Sequence, residues 1–178
     1  MLELVHSNPW YALQIQTQAH PGVLEGLRWH GLPTYHPTYS VPSQRKYRSA
    51  LQRPLFPGYV FVRLNLENLD LRHRAISVPG VIRLVGYGET PLSITEREIE
   101  TIRTLAAAPV KLAPSPVVAG ETVCVTNGPL KGMEGVVVHI KGSTRIVVSI
   151  GMLNRGVSAE VDASWLAPVK PAPLRKAA

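Results

Sequence analysis

The sequence predicts two small domains: an α/β unit whose antiparallel sheet is flanked by helices, followed by a small all-β barrel. Three observations carry that prediction. Residues 8–108 mix apolar alternation with helical periodicity. Residues 109–117 contain three prolines and no period, as a semi-rigid linker does. Residues 118–170 break into five short strands separated by glycine turns. Residues 171–178 read as a basic tail. In a chain of 178 residues either half can bury a modest core.

The run Trp10 to Gln16 alternates, with Trp10, Ala12 and Gln14 on one face of a strand and Tyr11, Leu13 and Ile15 on the other. A helix follows: Pro21 suits a first turn, Val23, Leu24 and Leu27 recur at helical spacing, and Gly31 with Pro33 ends it. Tyr35 to Val41 is extended between two prolines. The polar, basic residues 43–53 read as a long hairpin arm or loop between strands. Leu55 to Leu64 is the central strand, Leu66 to Ile76 a short helix, and Val81 to Val85 another strand. In Pro91 to Ala107, Thr95 can cap a helix over 96–107 with Glu98 at the capping-box position, and Ile99, Ile102 and Leu105 form its apolar stripe. The barrel strands fall at 122–126, 133–140, 144–150, 157–161 and 165–166.

The formal net charge is +7. Nine Lys or Arg lie between Arg28 and Arg83 against only Glu67 and Asp70, so this stretch carries the whole excess of seven. Such a distribution favours a polyanionic neighbour. The single Cys124 excludes an intramolecular disulfide and a Cys-rich zinc site, and suits a reducing cytoplasm. The sequence has no signal-peptide pattern and no window of eighteen apolar residues, so it reads as a soluble cytoplasmic protein without a membrane partner. His6, His20, His30, His36, His73 and His139 lack the short spacings of metal sites and receive no ligand role. There is no phosphate-cradling loop, no nucleophile elbow and no convergent acid pair, since Glu96, Glu98 and Glu100 fit an exposed helix face. Neither catalysis nor a cofactor is expected.

Two motifs remain. In Pro54-Leu55-Phe56-Pro57-Gly58-Tyr59, a Pro-Gly pair fixes one φ angle and frees the next between two aromatic residues at a strand entrance. On the residues alone, those rings either dock a partner or fill the core beneath the sheet. In Gly128-Pro129-Leu130-Lys131-Gly132-Met133-Glu134-Gly135, glycines recur around a turn that leads into Val136-Val137-Val138. The basic run Gln44-Arg45-Lys46-Tyr47-Arg48 is either a solvated hairpin tip or a phosphate-contacting loop with Tyr47 free to stack on a base.

With Trp10-Tyr11 opening the first strand, these motifs resemble NusG-type transcription elongation factors, in order, over residues 9 to 170. The aromatic turn is similar to that of their N-terminal (NGN) domain, and the glycine turn to that of their C-terminal KOW domain, an SH3-like barrel. The resemblance implies a monomeric bacterial factor that bridges the RNA polymerase cleft, suppresses pausing and promotes elongation or antitermination. It implies that Phe56 lies in a hydrophobic depression for the tip of the β′ clamp helices, with Trp10, Tyr11, Pro57 and Tyr59 lining or supporting it. Arg45, Lys46, Tyr47 and Arg48, with Arg72 and Arg74, would meet the non-template DNA strand. Arg74-Ala75-Ile76 falls where a specialised branch contacts the β gate loop, without that branch's His-Thr-Thr. Gly128, Pro129, Gly132 and Gly135 build the KOW turn. The loop with Met152, Leu153 and Arg155 would take a partner, a ribosomal protein or another factor. Leu153 stands where the general factor has Phe, in a loop two residues longer, which points to a specialised paralogue acting at particular operons. The rivals are the general housekeeping factor, coupling transcription to translation, and an RNA- or ribosome-binding KOW module.

Overall fold

A computed structural model describes residues 8–41, 50–116, 120–140, 143–150, 153 and 155–169. In the first half the strands are β1 (Trp10–Ile15), β2 (Thr34–Tyr35), β3 (Thr38–Val41), β4 (Leu51–Pro54), β5 (Tyr59–Arg63), β6 (Val81–Leu84), β7 (Gly86–Tyr87), β8 (Thr90–Pro91) and β9 (Ser93–Ile94). The helices are α1 (His20–Trp29), α2 (Leu69–Ser77) and α3 (Glu96–Ala107). The main sheet runs β2-β5-β1-β6, and β9 pairs with β1 beyond the end of β6. Its pairings are antiparallel, with Trp10 opposite Arg63 and Gln14 opposite Tyr59.

Alternation along β1 sends its side chains into two cores, as its pattern predicts. Tyr11, Leu13 and Ile15 pack with Val23 and Leu27 of α1 and Ala75 of α2. Trp10 and Ala12 pack on the other face, with Phe56, Phe61 and the α3 stripe Ile99, Ile102 and Leu105. The sheet is thus flanked by helices on both sides. Each helix shows its expected local cause. Pro21 sits in the first turn of α1; Asn68 caps α2 by accepting from the Leu71 N–H at 3.1 Å. Thr95 accepts from the Glu98 N–H at 3.2 Å while the Glu98 carboxylate accepts from the Thr95 N–H at 2.9 Å, completing the capping box.

Three differences from the sequence reading have physical reasons. The central strand begins at Tyr59 rather than Leu55, because Gly58 takes φ +82° and turns the chain, with the Tyr59 N–H donating back to the Phe56 carbonyl at 3.1 Å. Part of the basic arm, β4, forms a separate two-stranded ribbon with β3, where Val41 faces Leu51. Residues 86–94, where the sequence reading expects no strand and takes 91–95 as the approach to a helix, hold the β7–β8 hairpin and β9, whose Ile94 is buried.

The second half is a sheet of six strands, β10 (Leu112–Pro116), β11 (Thr122–Val125), β12 (Glu134–Ile140), β13 (Ser143–Ile150), β14 (Arg155–Glu160) and β15 (Leu166–Pro168), in the order β10-β14-β13-β12-β11-β15. Five strands were expected. The sixth, β10, comes from the proline-rich stretch, where Pro114 faces Val157 and Pro116 faces Arg155. It lies at the end of the sheet order, and an edge strand tolerates prolines because only half of its backbone groups enter the ladder. Val123, Val125, Leu130, Ile146, Leu153 and Val157 fill the barrel and join the core cluster that includes Phe56 and α3.

Candidate docking site around the Phe56 turn

The Phe56 turn is held at both ends by backbone bonds. The Leu55 N–H donates to the Pro37 carbonyl at 2.9 Å, and the Gly58 carbonyl accepts from the Ile15 N–H at 2.8 Å. Phe56 itself is only 2% exposed, its ring set edge-on to Phe61 at a centroid distance of 5.7 Å. Pro57 is exposed and Tyr59 half-buried against the same core. Leu55, Phe56 and Pro57 line one side of a largely apolar cavity of about 240 Å³; Pro114, Ser115 and Pro116 of β10 and Arg155 and Gly156 of β14 line the other. Phe56 is therefore a wall of a depression and not a projecting ring.

From Phe56 a row of rings runs across the sheet. Phe61 stacks on Tyr35 at 6.2 Å, the Arg103 guanidinium lies 5.5 Å over Tyr35 and 5.8 Å over Trp10, and Arg63 covers Trp10 at 5.2 Å. The Trp10 indole N–H donates to the Glu96 carboxylate at 3.0 Å, which also accepts from Arg63. The hydrogen bond from Arg63 holds the Glu96 carboxyl below its ordinary value, Coulombic attraction to Arg63 and Arg103 adding to it against some desolvation. Burial pushes the Tyr35 hydroxyl up, an effect that Arg103 opposes.

The remaining sequence-predicted residues divide by place. Trp10 reaches the Phe56 turn only through this row, since it pairs with Arg63 at the far end of β5. Tyr11 lies in the other core, across the sheet from Phe56, and burial raises its hydroxyl. Of Arg74, Ala75 and Ile76, Ala75 is fully buried in α2, Arg74 pairs with Asp70 at 2.7 Å, and Ile76 is exposed. Arg72, Ile76 and Arg83 line a shallow groove with Ile82 and Glu89. Arg45, Lys46, Tyr47, Arg48 and Met152 lie outside the described residues. In the glycine turn before β12, Gly128 and Gly132 take φ +78° and +85°, and a Cβ on Gly135 would come within 2.9 Å of the Val147 carbonyl. Leu153 is 5% exposed, packed in the barrel core, while Arg155 is exposed beside the cavity.

Sequence reasoning missed Tyr35, Arg103 and the role of Glu96. Glu96 carries a helix-start signal, but nothing local ties it to an indole 86 residues away. It also missed that His20 and His36 meet, their ring centroids 4.7 Å apart.

The family model described as "Transcription termination factor nusG" matches residues 8–103, more than half of the chain. The chain belongs to the NusG family. The transcription termination/antitermination protein NusG of Campylobacter jejuni is 35% identical over 105 residues, which span 56% of this chain and 58% of that protein. The Vibrio cholerae protein of the same name is 26% identical over 167 residues, 86% of this chain and 91% of its own length. A Thermotoga maritima NusG structure, described as showing a domain interaction, superposes with a TM-score of 0.59 at 23% identity, over 91% of this chain and 97% of that one, which supports the shared NusG fold. The matched stretch contains β1, the Phe56 turn and most of α3, so the aromatic row lies within the NusG domain itself.

Proposed function

We propose that this chain is a bacterial transcription elongation factor that binds RNA polymerase, suppresses pausing and promotes processive elongation or antitermination at particular operons. It acts in the cytoplasm, as a monomer and without catalysis. The observation that carries the reading is the apolar depression beside Phe56 and Pro57, of a size to accept one or two side chains from a helix tip. The tip of the β′ clamp helices is the proposed occupant, with Phe56 as wall and Tyr59 and Trp10 as support. Arg45, Lys46, Tyr47 and Arg48 would face the non-template strand, with Arg72 and Arg74 extending that surface. The β gate loop would meet α2 through Arg74 and Ile76. A specialised role is favoured by Leu153, whose burial leaves no aromatic side chain presented there to a ribosomal protein; the barrel would take its partner through Arg155 and Met152. Among the described residues no helix is long and apolar enough to cross a membrane.

The test is capture of bacterial core RNA polymerase by the wild-type chain, by Phe56→Ala and by Phe56→Leu, which keeps the core filled, each checked for fold. Loss of the ring costs on the order of 2 kcal/mol of binding, about thirtyfold in affinity, for a hot-spot aromatic. Capture that both folded variants retain discards the anchor. No capture by the wild type, with salt-sensitive RNA binding instead, favours the RNA-binding module.

A further inference from the structure

Seven large apolar residues are exposed on the described surface, and four of them, Ile76, Ile82, Tyr87 and Leu92, fall in the stretch from the end of α2 to the residue after β8. Ile82 is 55% and Tyr87 86% exposed. Scattered singly, such residues need no explanation, but gathered around one groove they mark a contact surface. Ile76, Ile82, Leu84 and Pro91 line a groove of about 550 Å³ together with Arg72, Arg83 and Glu89. Tyr87 and Leu92 are chain neighbours of its lining.

The groove also runs along an open strand edge. Among the described residues β6 pairs only with β1 and ends the order of its sheet. The Val85 N–H donates inward to the Ala12 carbonyl at 2.9 Å, so the antiparallel alternation turns the backbone groups of Leu84 away from β1. Unpaired N–H and C=O groups on a sheet edge are a template for another strand. The two faces of this edge differ. Leu84 packs toward the core beneath α1 and α2, whereas the Arg83 Nε donates to the Gln14 side chain at 2.8 Å on the opposite face. Among the described residues neither Arg72 nor Arg83 pairs with a carboxylate.

We propose that this groove docks an extended, acidic segment of a partner protein, which pairs its backbone with Leu84, sets apolar side chains against Ile76 and Ile82 and turns carboxylates toward Arg83. Arg72, on the helix wall, favours the same charge. A strand alternates its side chains between two faces, so alternating apolar and acidic residues meet both faces of the β6 edge. A nucleic-acid strand fits less well: its phosphates would meet Glu89, and its bases would find aliphatic Ile76, Ile82 and Leu84 where they need rings to stack on. The inference lies beyond the polymerase reading, since this docking requires neither polymerase nor DNA. Because Ile76 also stands in the proposed gate-loop contact, the bound segment would compete with that contact.

The probe is a capped hexapeptide of alternating glutamate and valine, titrated into the full chain and followed by backbone amide NMR. Saturable shifts should centre on Ile82, Leu84 and the β7–β8 hairpin. Lysine in place of glutamate, or N-methylation of the peptide backbone, should weaken binding at least about tenfold, and Ile82→Glu with unchanged circular dichroism should do the same. Absence of saturable shifts, shifts centred elsewhere, or equal affinity for the lysine peptide overturns the proposal. So does a single-stranded oligothymidylate that shifts the same amides where the peptide shifts none, which assigns the groove to nucleic acid instead. If Ile82→Glu fails to fold, the two altered peptides decide on the wild type alone: weakening by both supports the docking, and undiminished binding of either overturns it.

Discussion

Gly128 and Gly132 occupy the same turn, both at positive φ, yet their substitution by Ala should have different consequences. At Gly132 an added Cβ meets nothing within 4 Å, so Gly132→Ala carries only the cost of left-handed backbone, about 1–2 kcal/mol. At Gly128 the Cβ would run into the six-membered ring of Trp165, 2.7 Å from its Cε3 atom and closer still to Cζ3. The ring cannot retreat with its backbone, because the Trp165 carbonyl accepts both the Thr126 N–H at 2.7 Å and the Thr126 hydroxyl at 2.8 Å. Overpacking of that kind adds about 1–3 kcal/mol. Gly128→Ala should therefore destabilise the barrel by about 2–5 kcal/mol, at least about 1 kcal/mol more than Gly132→Ala. Urea unfolding of the full chain, followed by tryptophan fluorescence, measures both losses. Equal losses would refute the role assigned to Trp165, and a tolerated Gly128→Ala would refute the turn geometry itself.

Thr95→Ala removes the α3 cap and should cost about 1 kcal/mol, read as a lower urea midpoint with an unchanged slope. Phe61→Ala should cost about 3–5 kcal/mol, because this fully buried ring contacts both Phe56 and Tyr35; loss of near-ultraviolet circular dichroism would report it. Glu96 has a lowered folded-state pKa, so its contribution is present above the ordinary value of 4.5 and is lost as pH falls through the lower folded value. Urea midpoints measured down that acid range should fall more steeply for the wild type than for Glu96→Gln, and parallel curves would rule out the lowered carboxyl.

Much of the fold is legible because its signals are local. The alternation of β1, the Thr95–Glu98 box and the glycine turn each report a structure within a few residues, and each appears where expected. What escapes is set by distant partners. Residues 112–116 look like linker because prolines dominate them, and become a strand only because β14 offers an edge. Trp10 shares the core cluster of Phe56, but its register opposite Arg63 puts it at the far end of the strand, under two guanidinium groups, a distance no local signal gives. His20 and His36 read as unrelated because neither carries a spacing signal, and only the packing of α1 beside the β2–β3 connection brings them together.

The two readings of the aromatic turn, core filling and docking, turn out to be compatible. Phe56 shows 2% of its surface, yet the little it shows lines an apolar cavity, so the proposed partner would meet a wall whose position is set by the core behind it. That arrangement suits an anchor site, since a ring already immobilised against Phe61 loses little entropy on binding. The opposite wall comes from β10 and β14 of the barrel, so a helix tip entering the cavity would contact both halves of the chain or displace the second. The proline-rich stretch is then more than a tether: by pairing with β14 it brings the barrel edge to the site, and how firmly β10 stays paired helps set how accessible Phe56 is.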